Sequence, residues 1–488
     1  MAVGGITVLV ALVAAVIAAN HFSLTSDIGS YLHTHNWVLG QDPTGIKPLH
    51  FRPPLIGYVL LPFTALFGDL TGSKVLAVLA WASVPGPAYL FARLWLSPRW
   101  ALGAAAAIAF HPLMADIFIG GFISLFGIAL TLLAWSAQIK LERGGGKPWM
   151  VLLILSAFAL VGLNQTTMAL YWIGAGLLWF TGPHDLKSLV TLSVAGVLSL
   201  AWMPFYLVHV DFGGRFYLDG VDWLVFWPEH LITPVLLITG LMATVYGPSW
   251  SRRFLLPLAV FGVAGSLSSG DALINNLLHR AAYLVPLVSV IPIVGFLSTL
   301  TPKHPIRGAV VAVAVVSVTL GGIVQADIKA GSIATLTPQA YGGVQWITEN
   351  TPKTARVWVH PHGLAWWVGG LAPRDWGGSW TVPLEGYAAE QDAALCALGW
   401  ISDCDPYAAK MQFNLSYFLI DRGTWQPIAP SDVEISNSVI MTAPTIGTTF
   451  TQGQRTLWDT SAPLHPWLTS VYENGSVIIY AYGVYELP

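Results

Sequence analysis

Long apolar segments recur through the first 325 residues of this chain, and they limit its possible folds more than any other feature. A helix that crosses a membrane takes roughly 20 apolar residues. Only 10% of the 488 residues are charged, against about 25% in a soluble protein. The sequence therefore predicts a polytopic α-helical membrane protein. The predicted spans, about eleven, are Val3–Ala19, Val75–Leu94, Ala101–Pro112, Phe122–Ile139, Trp149–Leu163, Met168–Phe180, Ser188–Val208, Leu231–Tyr246, Phe254–Leu267, Ala281–Leu300 and Gly308–Val324.

Basic residues alternate from loop to loop between these segments. Lys and Arg concentrate in loops that stay on the cytoplasmic side of a membrane. The basic loops carry Arg93 and Arg99; Lys140, Arg143 and Lys147; Lys187; Arg252 and Arg253; and Lys303 and Arg307. No basic residue precedes the first segment, which favours an uncleaved span over a signal peptide. The alternation predicts a cytoplasmic N-terminus and places the polar, acidic and His-bearing loops outside.

Residues 21–68 form the first outer loop and carry most of the ionisable side chains among the first ninety residues. Ionisable groups at a membrane usually mark a functional site. A short helix is predicted from about Asp27 to Gly40, with Asp27 and Tyr31 on one face. The segment Pro54–Phe67 is too short to span a membrane. It is predicted to lie in or dip into the membrane interface.

Two residues of the outer loops are candidates for the central chemistry. An ionised Asp27 beside the membrane can act as a general base toward a hydroxyl group. The alternative is a helix N-terminal carboxylate that only complements the helix dipole. Arg280 breaks the pattern of basic loops and needs a local anionic partner. That partner is either a phosphate leaving group or a carboxylate such as Asp271.

Further outer-loop residues could complete a cavity. His50 and Arg52 precede two prolines that fix the backbone, and Arg52 could bind a lipid phosphate bidentately. The alternative is that Arg52 only binds the headgroups of the surrounding membrane lipids. Tyr31 is a further cavity candidate. On other loops the candidates are His111 and Asp116, which could also hold a divalent cation with Asp27. The last candidate is Asp211, in a loop over residues 210–230 that could act as a lid.

The composition changes after residue 325, where acidic residues outnumber basic ones and short alternating β-like runs begin. We predict an extracytoplasmic α/β domain over residues 326–488, after a transmembrane domain over residues 1–325. Trp366, Trp367 and Arg374 are candidates for saccharide binding; the alternative is packing against the membrane domain. Cys396 and Cys404, the two cysteines of the chain, could form a disulfide outside the cytoplasm or remain thiols.

This layout resembles the GT-C superfamily, the multispan glycosyltransferases that use polyprenyl-phosphate sugars. The resemblance rests on Asp27 after the first span, on the run from Pro53-Pro54-Leu55 to Phe67-Gly68, and on Arg280 before a Pro-containing helix. The span order and the outer domain also resemble the oligosaccharyltransferase, protein mannosyltransferase and aminoarabinose transferase groups. The Trp-Trp-Asp-Tyr-Gly motif of oligosaccharyltransferases is replaced by Trp366-Trp367-Val368-Gly369-Gly370.

The resemblance implies an inverting transfer of a sugar from a polyprenyl-phosphate donor, for protein glycosylation or cell-envelope synthesis. Asp27 would be the base, and Arg280, Arg52, His50 and His279 would bind the donor phosphate. A divalent cation, Mg²⁺ or Mn²⁺, is left open as a cofactor; if one is present, Asp27 and Asp116 would hold it.

The partners implied are membrane lipid, the lipid-linked sugar and an acceptor that is a polysaccharide, a lipid or a protein, with partner subunits left open. The location implied is the plasma membrane of a prokaryote. The net charge of −3 gives no sign of a nucleic-acid partner. The alternative function is a non-catalytic lipid- or saccharide-binding subunit of a larger assembly.

Overall fold

The computed structural model describes residues 2–24, 27–41, 53–202, 220–221, 232–265, 267–268, 278, 280–300, 320–321, 323–324, 327, 336–360, 362–377, 393–394, 396–398, 405–421 and 468–482. Its contacts separate two compact units. The first unit comprises Met1–Asn20, Phe51–Ile56 and Lys74–Ser332, and the second comprises His21–His50, Gly57–Ser73 and Ile333–Pro488. The second unit therefore includes most of the first outer loop. The predicted domain boundary at residue 325 stays a prediction.

Helices make up most of the described chain before residue 300. They are α1 Ala2–Asn20, α2 Asp27–Val38, α3 Leu55–Phe67, α4 Asp69–Ala82, α5 Pro85–Ala92, α6 Pro98–Ala109, α7 Pro112–Gly121, α8 Ile123–Glu142, α9 Lys147–Leu163, α10 Gln165–Phe180, α11 Leu186–Ser199, α12 Ile232–Tyr246, α13 Leu255–Ala264 and α14 Val285–Leu300. Two short strands, β1 Gly220–Val221 and β2 Leu267–Ser268, pair antiparallel. Several helices begin at a proline, which is preorganised for the first helical turn.

Four helical stretches are long and apolar enough to cross a membrane: Ala2–Asn20, Asp69–Ala92, Ile123–Glu142 and Ala282–Leu300. Helices α6 and α7 pass the same test together and meet at a bend of 43°. Shorter apolar helices include α9, α10 and part of α12. The predicted class, a polytopic helical membrane protein, is confirmed. The count of eleven spans stays a prediction.

The basic loops of the first unit contact one another. Arg143 donates through Nη1 to the carbonyl of Leu94 at 2.7 Å, and Lys187 donates to the carbonyl of Gly145 at 2.5 Å. Arg253 forms a buried ion pair with Glu142. Residues from four loops that were predicted to share a side are thus close in space. This agrees with the charge alternation, while the compartment that they face stays a prediction.

A five-stranded sheet forms the centre of the second unit. Its strands are β3 Arg356–His360, β4 Asp375–Gly377, β5 Leu415–Asp421, β6 Leu468–Asn474 and β7 Val477–Tyr482, in the order β4-β3-β5-β7-β6. The β3 strand pairs parallel with β4 and β5, whereas β7 pairs antiparallel with β5 and β6. The helices α15 Pro338–Asn350, α16 His362–Leu371 and α17 Pro406–Phe413 complete the predicted α/β organisation.

Apolar side chains on the sheet supply the core of the second unit. Trp358 on β3, Phe418 on β5 and Tyr480 on β7 are buried together. Cys396, described within the same unit, is disulfide-bonded. Cys404 lies outside the described residues.

Candidate active site

Asp27 is the first residue of α2 and is half-buried. The hydroxyl of Tyr31, one turn later, donates to Asp27 Oδ2 at 3.4 Å, so the two side chains share a face as predicted. Ser30 Oγ donates to the Asp27 backbone carbonyl at 2.8 Å. The N-terminal end of a helix stabilises negative charge. The first turn of α2 is therefore a favourable position for the carboxylate of Asp27.

A close helix crossing holds α2 against α16. A Cβ atom on Gly29 would lie 2.5 Å from the backbone carbon of Trp366, and one on Gly370 would lie 2.5 Å from the Gly29 carbonyl oxygen. Asn36 Nδ2 donates to the Gly370 carbonyl at 2.8 Å. Glycine is needed at both positions because any side chain would collide with the opposite backbone. The crossing fixes the helix that carries Asp27.

The loop histidines on α2 are buried and have partners. His35 donates through Nδ1 to the carbonyl of Gly57 at 2.7 Å, and its Nε2 lies 3.1 Å from Thr64 Oγ1. The ring of His33 contacts that of Trp376 edge-on at 6.0 Å. These contacts join α2 to α3 and to β4. These contacts explain why His33 and His35 are buried, whereas in the sequence they stand out only as members of a loop rich in ionisable residues.

The candidates for saccharide binding differ in exposure. Trp367 is fully buried, whereas Trp366 is half-buried and lies 5.5 Å from Trp376, ring centre to ring centre. Arg374 is 5% exposed, and its guanidinium donates to the carbonyls of Thr348 and Thr351 at the end of α15. Burial lowers the pKa of this guanidinium. In this arrangement Arg374 caps a helix, and Trp366 is the candidate whose side chain is partly exposed. The role of these residues in saccharide binding stays a prediction.

His111 lies at the bend between α6 and α7 in the first unit, and Asp116 lies within α7. His111 caps α7 by accepting a hydrogen bond on Nδ1 from the backbone N–H of Leu113 at 3.1 Å. The two side chains are 3% and 5% exposed. A broken, apolar helix pair with a buried imidazole and carboxylate is typical of a functional position in a membrane protein.

A polar cluster in the first unit joins two predicted outer loops, through Asn164 and Arg280, to Ser124 near the start of α8. Arg280 Nη1 donates to Ser124 Oγ at 3.2 Å, and Asn164 Nδ2 donates to the same oxygen at 3.1 Å. Asn164 also caps α10 by accepting from the Thr167 backbone N–H at 2.9 Å. Sequence reasoning missed Ser124 because it lies inside a predicted span. The sequence feature that could have identified Ser124 is a hydroxyl group near the predicted outer end of an apolar segment.

Several predicted site residues lie outside the described part of the chain. They are His50, Arg52, Asp211 and His279, and most of the loop over residues 210–230. Asp271, the alternative partner of Arg280, also lies outside it. No group of three His, Cys, Asp or Glu residues that could hold a metal ion occurs within the described segments.

A cavity of about 220 Å³ opens in the second unit between the start of α4 and α15. Its lining includes Asp69, Tyr341, Gln345 and Glu349. None of the predicted site residues lines it.

The whole chain is similar to solved glycosyltransferases. The oligosaccharyltransferase AglB from Archaeoglobus fulgidus, in complex with an inhibitory peptide and a dolichol-phosphate, matches over 99% of this chain and 75% of its own, at 13% identity and a TM-score of 0.52. ArnT from Cupriavidus metallidurans, bound to undecaprenyl phosphate, matches over 98% and 97%, at 15% identity and a TM-score of 0.53. The chain has the GT-C fold.

The arabinofuranosyltransferase AftD from Mycobacteria has the same GT-C fold, with 16% identity and a TM-score of 0.61. It matches over 99% of this chain, which spans 40% of AftD. No protein-family model and no curated protein sequence matches the chain. The resemblance drawn from Asp27, the proline run and Arg280 is confirmed for the GT-C fold, and the roles of these residues stay predictions. The apolar helices and these neighbours make the chain a multi-pass membrane protein.

Proposed function

We propose that this protein is a membrane glycosyltransferase that moves a sugar from a polyprenyl-phosphate donor to an acceptor on the extracytoplasmic face. The observation that carries the proposal is the GT-C fold, matched over 98–99% of the chain by AglB, AftD and ArnT. The solved AglB carries a dolichol-phosphate and the solved ArnT an undecaprenyl phosphate, so a polyprenyl-phosphate sugar is the donor class that we propose.

In the proposed reaction, Asp27 takes the proton from the attacking group of the acceptor. The acceptor atom forms a bond to the anomeric carbon from the face opposite the phosphate, and the bond from that carbon to the phosphate oxygen breaks. The lipid phosphate leaves with both electrons of that bond. Arg280 compensates the charge that develops on it, because a guanidinium placed at a developing anion stabilises the transition state. The sugar is transferred with inversion.

Tyr31 supports this role for Asp27. Its hydroxyl donates to Asp27 Oδ2 at 3.4 Å. A carboxylate that accepts a hydrogen bond on one oxygen is restricted in orientation. A base must lie within hydrogen-bond reach of the proton that it removes. Asp27 itself is half-buried at the start of α2.

A metal ion is not required by this proposal. A solved Archaeoglobus fulgidus oligosaccharyltransferase holds Zn and sulfate. Mg²⁺ is usually bound by one or two carboxylates together with waters and substrate phosphate oxygens, and no group of three ligating side chains that would form a metal centre by itself occurs among the described residues. No step of the reaction is therefore derived through a metal ion. Asp27 and Asp116 stay the candidates for a cation of this kind.

The acceptor is a polysaccharide, a lipid or a protein. One A. fulgidus oligosaccharyltransferase is solved with a tethered peptide that contains an NVT sequon. The Asp and the Tyr of the Trp-Trp-Asp-Tyr-Gly motif are replaced here by Val368 and Gly369. We therefore propose testing glycan and lipid acceptors before peptides.

The test is sugar transfer from polyprenyl-phosphate donors in proteoliposomes, with the wild type beside Asp27→Asn. We expect transfer by the wild type and a loss of at least about 100-fold in the variant, since general acid–base groups contribute about 10²–10⁴-fold. The matched control is Asp405→Asn. Asp405 also opens a helix, and an Asn there can still accept the hydrogen bond from Ala408 N. This control should transfer at the wild-type rate.

Other results would change the assignment. Full transfer by Asp27→Asn would move the base to His111, Asp116 or the loop over residues 210–230. No transfer by the wild type from any donor would favour the alternative function, a lipid- or saccharide-binding subunit.

A further inference from the structure

The proton positions around Ser124 can be derived from its two neighbours. Asn164 Oδ1 accepts from the Thr167 backbone N–H, which can only donate. The amide NH₂ of Asn164 therefore faces Ser124 and donates to Ser124 Oγ. A guanidinium also only donates, so Arg280 Nη1 gives a second hydrogen bond to the same oxygen. Both lone pairs of Ser124 Oγ are thus occupied.

Ser124 must then act as a donor. With its lone pairs filled, the hydroxyl can make a third hydrogen bond only by giving its proton to an acceptor. No such acceptor is present among the residues that the structure describes, although Ser124 is only 4% exposed. A buried hydroxyl proton without an acceptor costs free energy. The arrangement therefore favours an external acceptor atom beside Ser124 and Arg280.

The surroundings select an anionic acceptor. Ser124 is the second residue of the 20-residue helix α8, and Asn164 caps the 16-residue helix α10. The positive ends of two helix dipoles therefore meet at Ser124, which contacts the guanidinium of Arg280. No ion pair connects Arg280 to a carboxylate within the described chain. Helix N-termini, an arginine and a hydroxyl donor form the chemistry of a phosphate site.

We propose that Ser124 donates its hydroxyl proton to an anionic phosphoryl oxygen that Arg280 binds, and that Asn164 is the positioning residue that keeps Ser124 a donor. This inference rests on the proposed function, since it adds a ligand and a positioning residue to the donor-phosphate site. The phosphoryl group belongs either to a polyprenyl phosphate or to free phosphate. Asn164 acts by filling a lone pair of Ser124 and does not contact the ligand.

The experiment measures binding of undecaprenyl phosphate and of inorganic phosphate to the full-length protein in nanodiscs. Ser124→Ala should bind undecaprenyl phosphate about 10- to 100-fold more weakly than the wild type, because a hydrogen bond to a charged group is lost. Ser124→Thr retains the hydroxyl and should bind within about threefold of the wild type, an effect below the tenfold that one such hydrogen bond supplies.

Asn164→Asp provides an independent test. A carboxylate caps α10 as well as an amide does, but it accepts the Ser124 proton instead of donating to Ser124. Phosphate binding should therefore weaken by about tenfold or more while the thermal stability is retained. Asn164→Ser, which caps without adding charge, should weaken binding less than Asn164→Asp does.

The outcomes separate the two proposals. If the wild type binds undecaprenyl phosphate in a Ser124-dependent way but transfers no sugar, this inference stands and the enzyme assignment fails. If the wild type transfers sugar and folded Ser124→Ala keeps the wild-type affinity and KM for donor, the inference is wrong. Tighter binding of inorganic phosphate than of the lipid would assign the site to free phosphate. If the wild type binds neither undecaprenyl phosphate nor inorganic phosphate, the inference is wrong.

Discussion

A single imidazole, that of His35, connects the two helices of the first outer loop. It is 4% exposed and has hydrogen-bond partners on both nitrogens, one of them Thr64 Oγ1. Replacing Thr64 by Val preserves the shape of the side chain but leaves a buried ring nitrogen without its partner. We expect Thr64→Val to lower the free energy of unfolding by about 1–3 kcal/mol.

The measurement for Thr64→Val is denaturant unfolding in detergent micelles. Thr239→Val is the matched control, because Thr239 is exposed on α12 and its hydroxyl bonds only to carbonyls of its own helix. That control should change the free energy of unfolding by less than about 0.5 kcal/mol, as surface substitutions do. Equal effects of the two variants would show that the hydrogen bond to His35 contributes nothing to stability.

The sequence identified most of the candidate site residues by their chemical type and position, but it did not show which of them contact one another. Asp27 and Tyr31 share a face because four residues make about one helical turn, a local rule. Ser124 and Arg280 are 156 residues apart, and no local rule connects them. Arg374 was a candidate ligand by composition, and only the packing of the second unit shows that its guanidinium caps α15.

At the scale of helices and strands, the crossing of α2 and α16 determines where Asp27 is held. A Cβ placed on Gly29 lies 2.5 Å from the backbone carbon of Trp366. Gly29→Ala must separate the helices, and we expect it to lower the free energy of unfolding by about 1–3 kcal/mol, the usual cost of overpacking. Sugar transfer should fall with it, because Asp27 is two residues away.

Gly103→Ala is the control for the helix crossing. Gly103 also lies inside a helix, α6, but a Cβ there meets no atom within 4 Å. Alanine is the better helix former, by about 1 kcal/mol, so this variant should unfold at the same or a higher denaturant concentration. A Gly29→Ala variant as stable as the wild type would contradict the close crossing.

The extents of several elements followed from local pattern. The short alternating runs predicted after residue 325 are observed as strands such as Arg356–His360 and Val477–Tyr482. The interfacial segment expected over Pro54–Phe67 is the helix Leu55–Phe67. Apolar periodicity and proline positions are properties of neighbouring residues, so a sequence can report them directly.

At the scale of the whole molecule, the charge alternation predicts a sidedness that labelling can test. Lys147 lies in a basic loop and Glu473 on β6, and both are exposed. In a background that lacks Cys396 and Cys404, a membrane-impermeant maleimide should label Glu473→Cys in intact cells. It should label Lys147→Cys only after permeabilisation. The reverse pattern would place the outer domain in the cytoplasm and exclude the proposed donor side.

The amino-acid sequence by itself determined the membrane class, the alternation of loops and the α/β character of the C-terminal region. Each follows from hydropathy, charge or periodicity within a short window, and burying apolar surface is the dominant free-energy term. Only the tertiary structure decided which polar groups meet. The joining of Ser124, Asn164 and Arg280, and the contact of Gly29 with Gly370, depend on which helices pack together. Which helices pack together depends on how side chains from distant segments fit one another, and a local sequence pattern does not contain that information.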